Sequence, residues 1–388
     1  MAIPLSYNIR NVLQRPVATL TTAVGVGLTV TIFIGALALA AGFQEALRQS
    51  GSAANVIALR KGADSEISSY ISRDAANIVR AHPEVATGPD GRPLASPEMV
   101  VVTNKPRLGQ PGSSNVTVRA INPEGPAVRS AVKIVEGRMF TPGTDEAIVG
   151  KRIAPRFAGC GIGEKIRFGQ RDFTVVGHFT AEGSAFESEI WGDNAVLQPA
   201  LNRDGFQTLT FRMKDPARFA ALKRELENDP RLQIQVQNEQ SFYSSQSDML
   251  SNIMRFMGVF ITAIMAVGAI FGAMNTMYAA VGQRTREIAT LLVLGFSPAS
   301  VMVSFMIESV FLSLIGGAIG CLLALPINGI VTSTTNFQSF SEVAFAFRVT
   351  PPALLAGLIF AALMGAVGGF LPALHAARQP LAASLRGM

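Results

Sequence analysis

Four stretches of the chain contain no Asp, Glu, Lys or Arg: Pro16 to Gln44, Phe256 to Gln283, Ser309 to Ser341 and Val349 to Ala377. Each exceeds the roughly 20 residues a helix needs to cross about 30 Å of hydrocarbon. With 15% charged residues over 388 positions, the chain is too apolar for an ordinary soluble enzyme. The third span is predicted to begin earlier than its uncharged window, because the apolar pattern resumes at Val301 and continues through Glu308. A carboxylate near the centre of a membrane helix costs roughly 2.5 to 3.5 kcal/mol, so Glu308 should face protein or lie near the cytoplasmic headgroups.

Basic residues set the orientation. Arg10 and Arg15 at the start, Arg284 and Arg286 against Glu287 in the 282–298 loop, and Arg378 and Arg386 at the end mark cytoplasmic segments. Residues 45–255 hold 26 basic and 24 acidic residues, the mixed surface of a folded, translocated domain, so the formal charge of +6 is mainly a topology signal. Basic residues are not interleaved with aromatics on any segment, which argues against nucleic acid as a partner. The first apolar run outlasts the roughly 7 to 15 residues of a signal-peptide core, so "GALALAAG" is expected to lie in an uncleaved anchor.

The resulting fold class is an integral membrane, α-helical protein with four transmembrane helices and a large mixed α/β extracytoplasmic domain inserted between helices 1 and 2. An interfacial amphipathic helix is expected at 1–16, membrane helices at 17–43, 251–282, 299–326 and 351–375, and the outside domain at 44–250. A cytoplasmic helix and loop fall at 283–298, a short extracytoplasmic loop at 327–350, and a cytoplasmic tail at 376–388. Inside the domain, "NVIALRKG" (55–62) and "MVVVTN" (99–104) read as strands, and "KIRFGQRDFTVVGHF" (165–179) as a hairpin turning at Gly169 and Gln170. Residues 206–237 read as strand, helix, strand, with Asp215 as N-cap and Pro216 at the first helical position. A strand near 55–61 joining that sheet would make a membrane-proximal part of about 44–95 and 196–250, with a β-rich insertion at about 96–195.

Catalytic signatures do not emerge. There is no G-x-S-x-G, no H-E-x-x-H and no Cys/His metal spacing, and "GCGIGEK" (159–165) places Glu164 where a phosphate loop needs an unbroken Gly-Lys. Cys160 and Cys321 lie in different regions, and His82, His178 and His375 are scattered singly. No catalytic residue, metal site or cofactor is expected in this chain. Gly268 and Gly272, like Gly316 and Gly320, stand four apart in apolar runs, and Gly365, Gly368 and Gly369 crowd the last. That spacing lets helices approach closely in lipid, within one subunit or between two.

The stretch "VGQRTREIATLLVLGFSPASV" (281–301) joins two apolar runs. A helix from Arg284 would place Ile288, Leu291, Leu292 and Gly295 on one face, with Arg286 and Glu287 towards the polar side, and Gly295 and Pro298 would end it. Such a helix can lie in the headgroup layer or enter a partner's groove. The run of Arg284, Arg286, Glu287, Ile288, Leu291, Leu294 and Gly295, followed by an intramembrane Glu308, resembles the cytoplasmic loop and third helix of FtsX/MacB-type ABC transporter permeases. "VEGRMFTPGTDEAIVGKRIAPRF" (135–157) and "GIGEKIRFGQRDFTVVGHF" (161–179) resemble the periplasmic core domain of that family, and "LPALHAARQPLAASLRG" (371–387) its closing segment.

The resemblance implies a permease of the bacterial inner membrane, with both termini cytoplasmic and the large domain periplasmic. A cytoplasmic ABC ATPase would be a separate subunit using ATP and Mg, because this chain carries no phosphate loop. Partners implied are a second permease subunit, identical or related, a possible periplasmic adaptor or substrate protein, and the lipid bilayer. Arg284, Arg286, Glu287, Ile288, Leu291, Leu292 and Gly295 would form the ATPase-coupling helix. Force would pass to the outside domain for export or extraction of a substrate. The alternative is an FtsX-like regulator or scaffold that activates envelope partners without transport. The fold does not fix the cargo.

Overall fold

A computed structural model describes residues 16–109 and 111–379. The interfacial helix expected at 1–16 and most of the tail expected at 376–388 therefore lie outside the described residues, apart from their inner ends. The chain forms two compact units. One comprises the chain up to Ala41, Asn252–Ile330 and the chain from Phe347; the other comprises Gly42–Ser251 and Val331–Ala346.

Helix α1 (Pro16–Arg48) precedes the α/β unit. That unit contains β1 (Asn55–Arg60), α2 (Arg73–Arg80), β2 (Ala95–Pro106), β3 (Ser113–Ile121), α3 (Gly125–Val128), β4 (Lys133–Gly137), β5 (Glu146–Gly150), β6 (Lys165–Phe168) and β7 (Arg171–Thr180). It continues with β8 (Glu189–Asp193), α4 (Asn194–Ala200), β9 (Thr208–Arg212), α5 (Phe219–Asn228) and β10 (Ile234–Asn238). The strands form one ten-stranded mixed sheet in the order β10-β1-β9-β2-β3-β8-β5-β7-β4, with β6 on β7. As the sequence suggested, β1 joins the strand-helix-strand unit, lying antiparallel between β9 and β10. Asp215 accepts a hydrogen bond from the Ala217 amide, with Pro216 at the first helical position. The β6–β7 register pairs Phe168 with Arg171, leaving Gly169 and Gln170 as the turn, and Gly169 takes φ +59°.

Strand β2 carries both halves of the sheet: Ala95–Glu98 pair with β9, whereas Met99–Pro106 pair with β3. Apolar side chains sort accordingly. Val56, Ala58, Leu209, Phe211, Leu222, Leu226 and Val236 make one core beneath α2 and α5. Met99, Val116, Val118, Val149, Phe173, Ile190 and Leu197 make another around the β-rich half. Period-two alternation turns Ile57 and Leu59 to the opposite face, where they meet Trp191, Phe179, Phe186 and Tyr243.

Strands β11 (Val331–Thr335) and β12 (Glu342–Ala346) form an antiparallel hairpin where the sequence reading expected only a short loop at 327–350. The hairpin belongs to the α/β unit, and its β-branched Thr and Val residues suit strand pairing.

The helical unit contains most of α1 and of α6 (Glu239–Gln283), with α7 (Thr285–Val293), α8 (Pro298–Ala324) and α9 (Pro351–Ala377). Helices α1, α6, α8 and α9 are each long and apolar enough to cross a membrane. Helix α6 begins at Glu239 rather than near 251, because the polar run "EQSFYSSQSDML" continues the helix as an amphipathic segment that buries Phe242, Tyr243 and Leu250. At 45 residues it is about 67 Å long. Ser297 and Thr350 cap α8 and α9, each followed by proline at the first helical position.

Candidate functional site

The two charged features singled out around the third apolar run, Arg284 and Glu308, meet in space. Arg284 is the single residue between α6 and α7, and its Nη1 donates to Glu308 Oε2 at 2.8 Å. The two side chains are only 4% and 6% exposed, and the guanidinium lies 6.0 Å from the Phe305 ring centroid. Glu308 thus takes the first option open to it, facing protein, about 15 Å along α8 from Pro298. Arg284 belongs to the anchored side of the junction, whereas Arg286 and Glu287 are exposed.

Helix α7 is short and firmly ended. Ile288 and Ala289 are buried, and Ile288 joins Met277, Val281, Val301 and Phe305 in a cluster against which Leu292 partly packs. Leu291 is half-buried, while Val293 and Leu294 are exposed by 62% and 66%. Gly295 at φ +90° donates to Leu292 O, and the Phe296 amide donates to Leu291 O, a complete Schellman stop that only a residue tolerant of positive φ allows. The result is a pinned helix with an apolar tip that nothing in the described chain covers.

The predicted helix-packing glycines divide into two classes. A Cβ on Gly316 would sit 2.7 Å from Ala23 O, and one on Gly320 would sit 2.6 Å from Gly27 O, so these two glycines let α8 touch the backbone of α1. On the other side of α8, Ser309 Oγ donates to Gly365 O at 2.8 Å, and a Cβ on Gly369 would overlap Ser309. Gly268 and Gly272 each meet nothing within 4 Å, so among the described residues they bring no two helices together. The close approach on α6 uses Gly258 instead, whose Cβ would lie 2.4 Å from that of Ala36. Gly268 and Gly272 line an open groove of 320 Å³ with Thr21, Thr22, Gly25 and Thr29 of α1.

The α/β unit holds a second concentration of charge. Arg119 reaches Glu66, Glu98 and Glu189 at 2.7 to 2.8 Å, while Arg129 reaches Glu98 at 2.8 Å and Glu239 at 2.6 Å. The two guanidiniums lie over the ring of Phe186, 5.1 and 4.4 Å from its centroid. Burial pushes the carboxyls of Glu98, Glu189 and Glu239 upward. At Glu98, Arg129 and Arg119 outweigh burial and hold the carboxyl below its usual range; at Glu189 and Glu239 burial wins over the facing arginine, and the carboxyls lie above theirs. The β11–β12 hairpin is tied to the same unit by buried Glu342, paired with Arg107 and, at 2.9 Å, with Arg156. Thr117 and Ser341 hydroxyls add a hydrogen bond of 2.8 Å.

Sequence reasoning did not find this network, because its members lie on six different elements or loops with no local spacing to betray them. It also missed Phe305 and the Ser309–Gly365 contact. A signal existed for the latter, since small residues on adjacent apolar runs are the usual means of close helix approach.

Four membrane-length helices with a large mixed α/β domain define a polytopic membrane protein rather than a soluble one. Residues 19–229 match the model of the MacB-like periplasmic core domain, and residues 259–381 match the FtsX-like permease C-terminal model. The chain belongs to the FtsX/MacB-type family of ABC transporter permeases. It is 26% identical over 292 residues to the macrolide export ATP-binding/permease protein MacB of Bordetella avium, covering 69% of this chain and 42% of that protein. It is also 26% identical over 269 residues to the pyoverdine export ATP-binding/permease protein PvdT of Pseudomonas entomophila, covering 63% of this chain and 39% of that protein. The chain thus spans about two fifths of the length of these relatives. The extracellular domain of the ABC-type transporter YknZ from Gram-positive bacteria is matched at 16% identity and a TM-score of 0.36, covering 47% of this chain and 100% of that one.

Proposed function

We propose that this chain is the membrane-embedded part of an ABC exporter or extractor of the inner membrane, driven by an ATPase on a partner chain that uses ATP and Mg. Helix α7 is the element the ATPase engages. The observation that carries this reading is the combination at α7: its start is locked to α8 by the buried Arg284–Glu308 pair, while Val293 and Leu294 at its end stay exposed. A pinned amphipathic helix with an open apolar tip has the form of a helix-in-groove contact. Because Leu292 joins the helical cluster and Val293 and Leu294 do not, the recognition face is the tip rather than the Leu291–Leu292 pair alone.

The ATPase cycle would press on α7, and the locked junction would pass that displacement to α6 and α8 rather than let α7 swing. The α/β domain, on the periplasmic side in this reading, receives the movement and acts on cargo or an adaptor. A second permease subunit, identical or related, completes the transporter. The names of MacB and PvdT support an export role, and the cargo of this chain stays open.

The test is a pair of substitutions, Val293→Asp and Leu294→Asp, with the transporter isolated in mild detergent. The reading predicts loss of the co-purified ATPase and of stimulated hydrolysis, with the helical unit still folded. Retention of both activities by the double variant would refute it.

A further inference from the structure

A cleft of 580 Å³ lies on the α/β unit beside α2 and α4, with Arg73, Arg80 and Arg203 in its lining. Most arginines of this unit are ion-paired, Arg92, Arg107, Arg138, Arg152, Arg156 and Arg231 among them. The three in the cleft differ. Arg73 gives its Nη2 to Gln198 Oε1 at 3.0 Å and its Nε to the backbone oxygen of Asp204 at 3.1 Å, and it forms no ion pair among the described residues. Arg80 has a buried Nε with no hydrogen-bond partner, and neither it nor Arg203 forms an ion pair among the described residues. The one carboxylate in the lining, Asp204, faces the Tyr70 hydroxyl at 3.5 Å.

The spacing is set by the helix. Arg73, Asn77 and Arg80 stand at i, i+4 and i+7 and so share one side of α2, whose Ala75, Ala76 and Val79 are buried. Arg73 and Arg80 are therefore about 10 Å apart along the axis. The wall of the cleft is preorganised as well. Asn194 is 7% exposed and fixed by Nδ2, which donates to Pro97 O at 2.6 Å and to Asn122 Oδ1 at 3.1 Å, leaving its Oδ1 buried without a partner. Unpaired guanidinium forks match phosphate and carboxylate oxygens in pairs, and an unsatisfied buried acceptor adds a place for a hydroxyl or N–H.

We infer that this cleft is a binding site for a small-molecule polyanion whose acidic groups are spread over a length comparable with the Arg73–Arg80 separation. The geometry disfavours a single compact anion, which could meet only one end of the α2 stripe. Arg73 and Arg80, at the two ends of the α2 stripe, are the binding residues together with Arg203; Arg73 also holds the wall through Gln198, and Asn194 supplies the acceptor.

The test uses full-length protein in detergent and isothermal titration with sodium tripolyphosphate at physiological ionic strength, with orthophosphate as the short comparator. Saturable binding of tripolyphosphate, much tighter than orthophosphate, is expected. Arg80→Ala and Arg203→Ala should each weaken it about tenfold, the loss of one charged hydrogen-bonding partner, and Arg80→Lys should fall between. Neither side chain holds the fold together, so melting temperatures should not change. Competition by phosphatidylglycerol vesicles would identify a lipid headgroup as the source of the anion, and its absence a soluble one. The inference is overturned if tripolyphosphate does not saturate the protein, if the double alanine variant binds it equally well, or if only an acidic polypeptide such as polyglutamate binds.

Discussion

Replacing Glu308 by Gln keeps the shape of the side chain and removes the charge facing Arg284. The guanidinium would remain 4% exposed, 6.0 Å from the Phe305 ring centroid, with its 2.8 Å carboxylate partner gone. Removing one member of a buried pair typically costs about 3 to 5 kcal/mol, because an uncompensated charge is left behind. On a total stability of about 5 to 15 kcal/mol that is a severe loss. If it is spent on detaching α7 alone, about 3 kcal/mol shifts the docked-to-detached ratio by roughly a hundredfold. The double substitution Arg284→Met with Glu308→Leu should restore most of the stability, since apolar replacements of buried pairs are often neutral or better. The assay is a double-mutant cycle from unfolding of the purified protein in detergent, followed by circular dichroism. Single variants each costing under about 1 kcal/mol, or a double variant as damaged as the sum of the singles, would refute the claim that the pair pins the junction.

Gly320→Leu should destabilise the helical unit by roughly 1 to 3 kcal/mol, at the upper end because the new side chain meets the Gly27 carbonyl. Gly272→Ala, with nothing within 4 Å, should stay within about 0.5 kcal/mol in the same unfolding measurement. Glu342→Gln leaves Arg107 and Arg156 without their shared carboxylate, and we expect a loss of about 1 to 3 kcal/mol and faster proteolysis within 331–346. Stability of the α/β unit should fall in acid. Arg138, with help from Thr141, holds Glu146 down at about 2 from its usual 4.5, and Glu98 is also lowered, so the unfolded chain takes up protons first as pH drops. The Glu146 contribution is present above about 4.5 and is lost on going down towards 2, a loss that thermal melts of Arg138→Ala should shrink, and that of Glu98 is lost in the same direction. Glu189 and Glu239 act in the opposite sense: their raised values favour the folded state at lower pH, and that contribution fades as pH rises through them.

The membrane helices were legible because an uncharged run longer than a bilayer admits few other outcomes. So was the strand-helix-strand unit around Asp215, where cap, proline and alternation agree. Other features depended on contacts without local signatures. The amphipathic start of α6 at Glu239 reads as polar sequence because only its Phe242, Tyr243 and Leu250 side is buried. The β11–β12 hairpin is uncharged until Glu342 and merges with the apolar run before it. Among the glycines, spacing alone could not separate Gly316 and Gly320, which meet backbone, from Gly268 and Gly272, which meet none. At α7, the sequence supplied Arg284 and Glu308 as separate features, and folding supplied their pairing across 24 positions.

In the proposed transporter α7 and the α/β domain lie on opposite sides of the membrane, with α7 on the ATPase side. Cysteines placed by Leu294→Cys and Val135→Cys, positions 66% and 56% exposed, can be labelled with a membrane-impermeant maleimide in inside-out and right-side-out vesicles. Native Cys160 is buried with its thiol pushed up to about 11, and Cys321 lies within α8, so neither should report. Leu294→Cys should react only from the cytoplasmic face and be protected by the ATPase, and Val135→Cys should react only from the other face. Labelling of both positions from the same face, or of Leu294→Cys from outside, would contradict this arrangement.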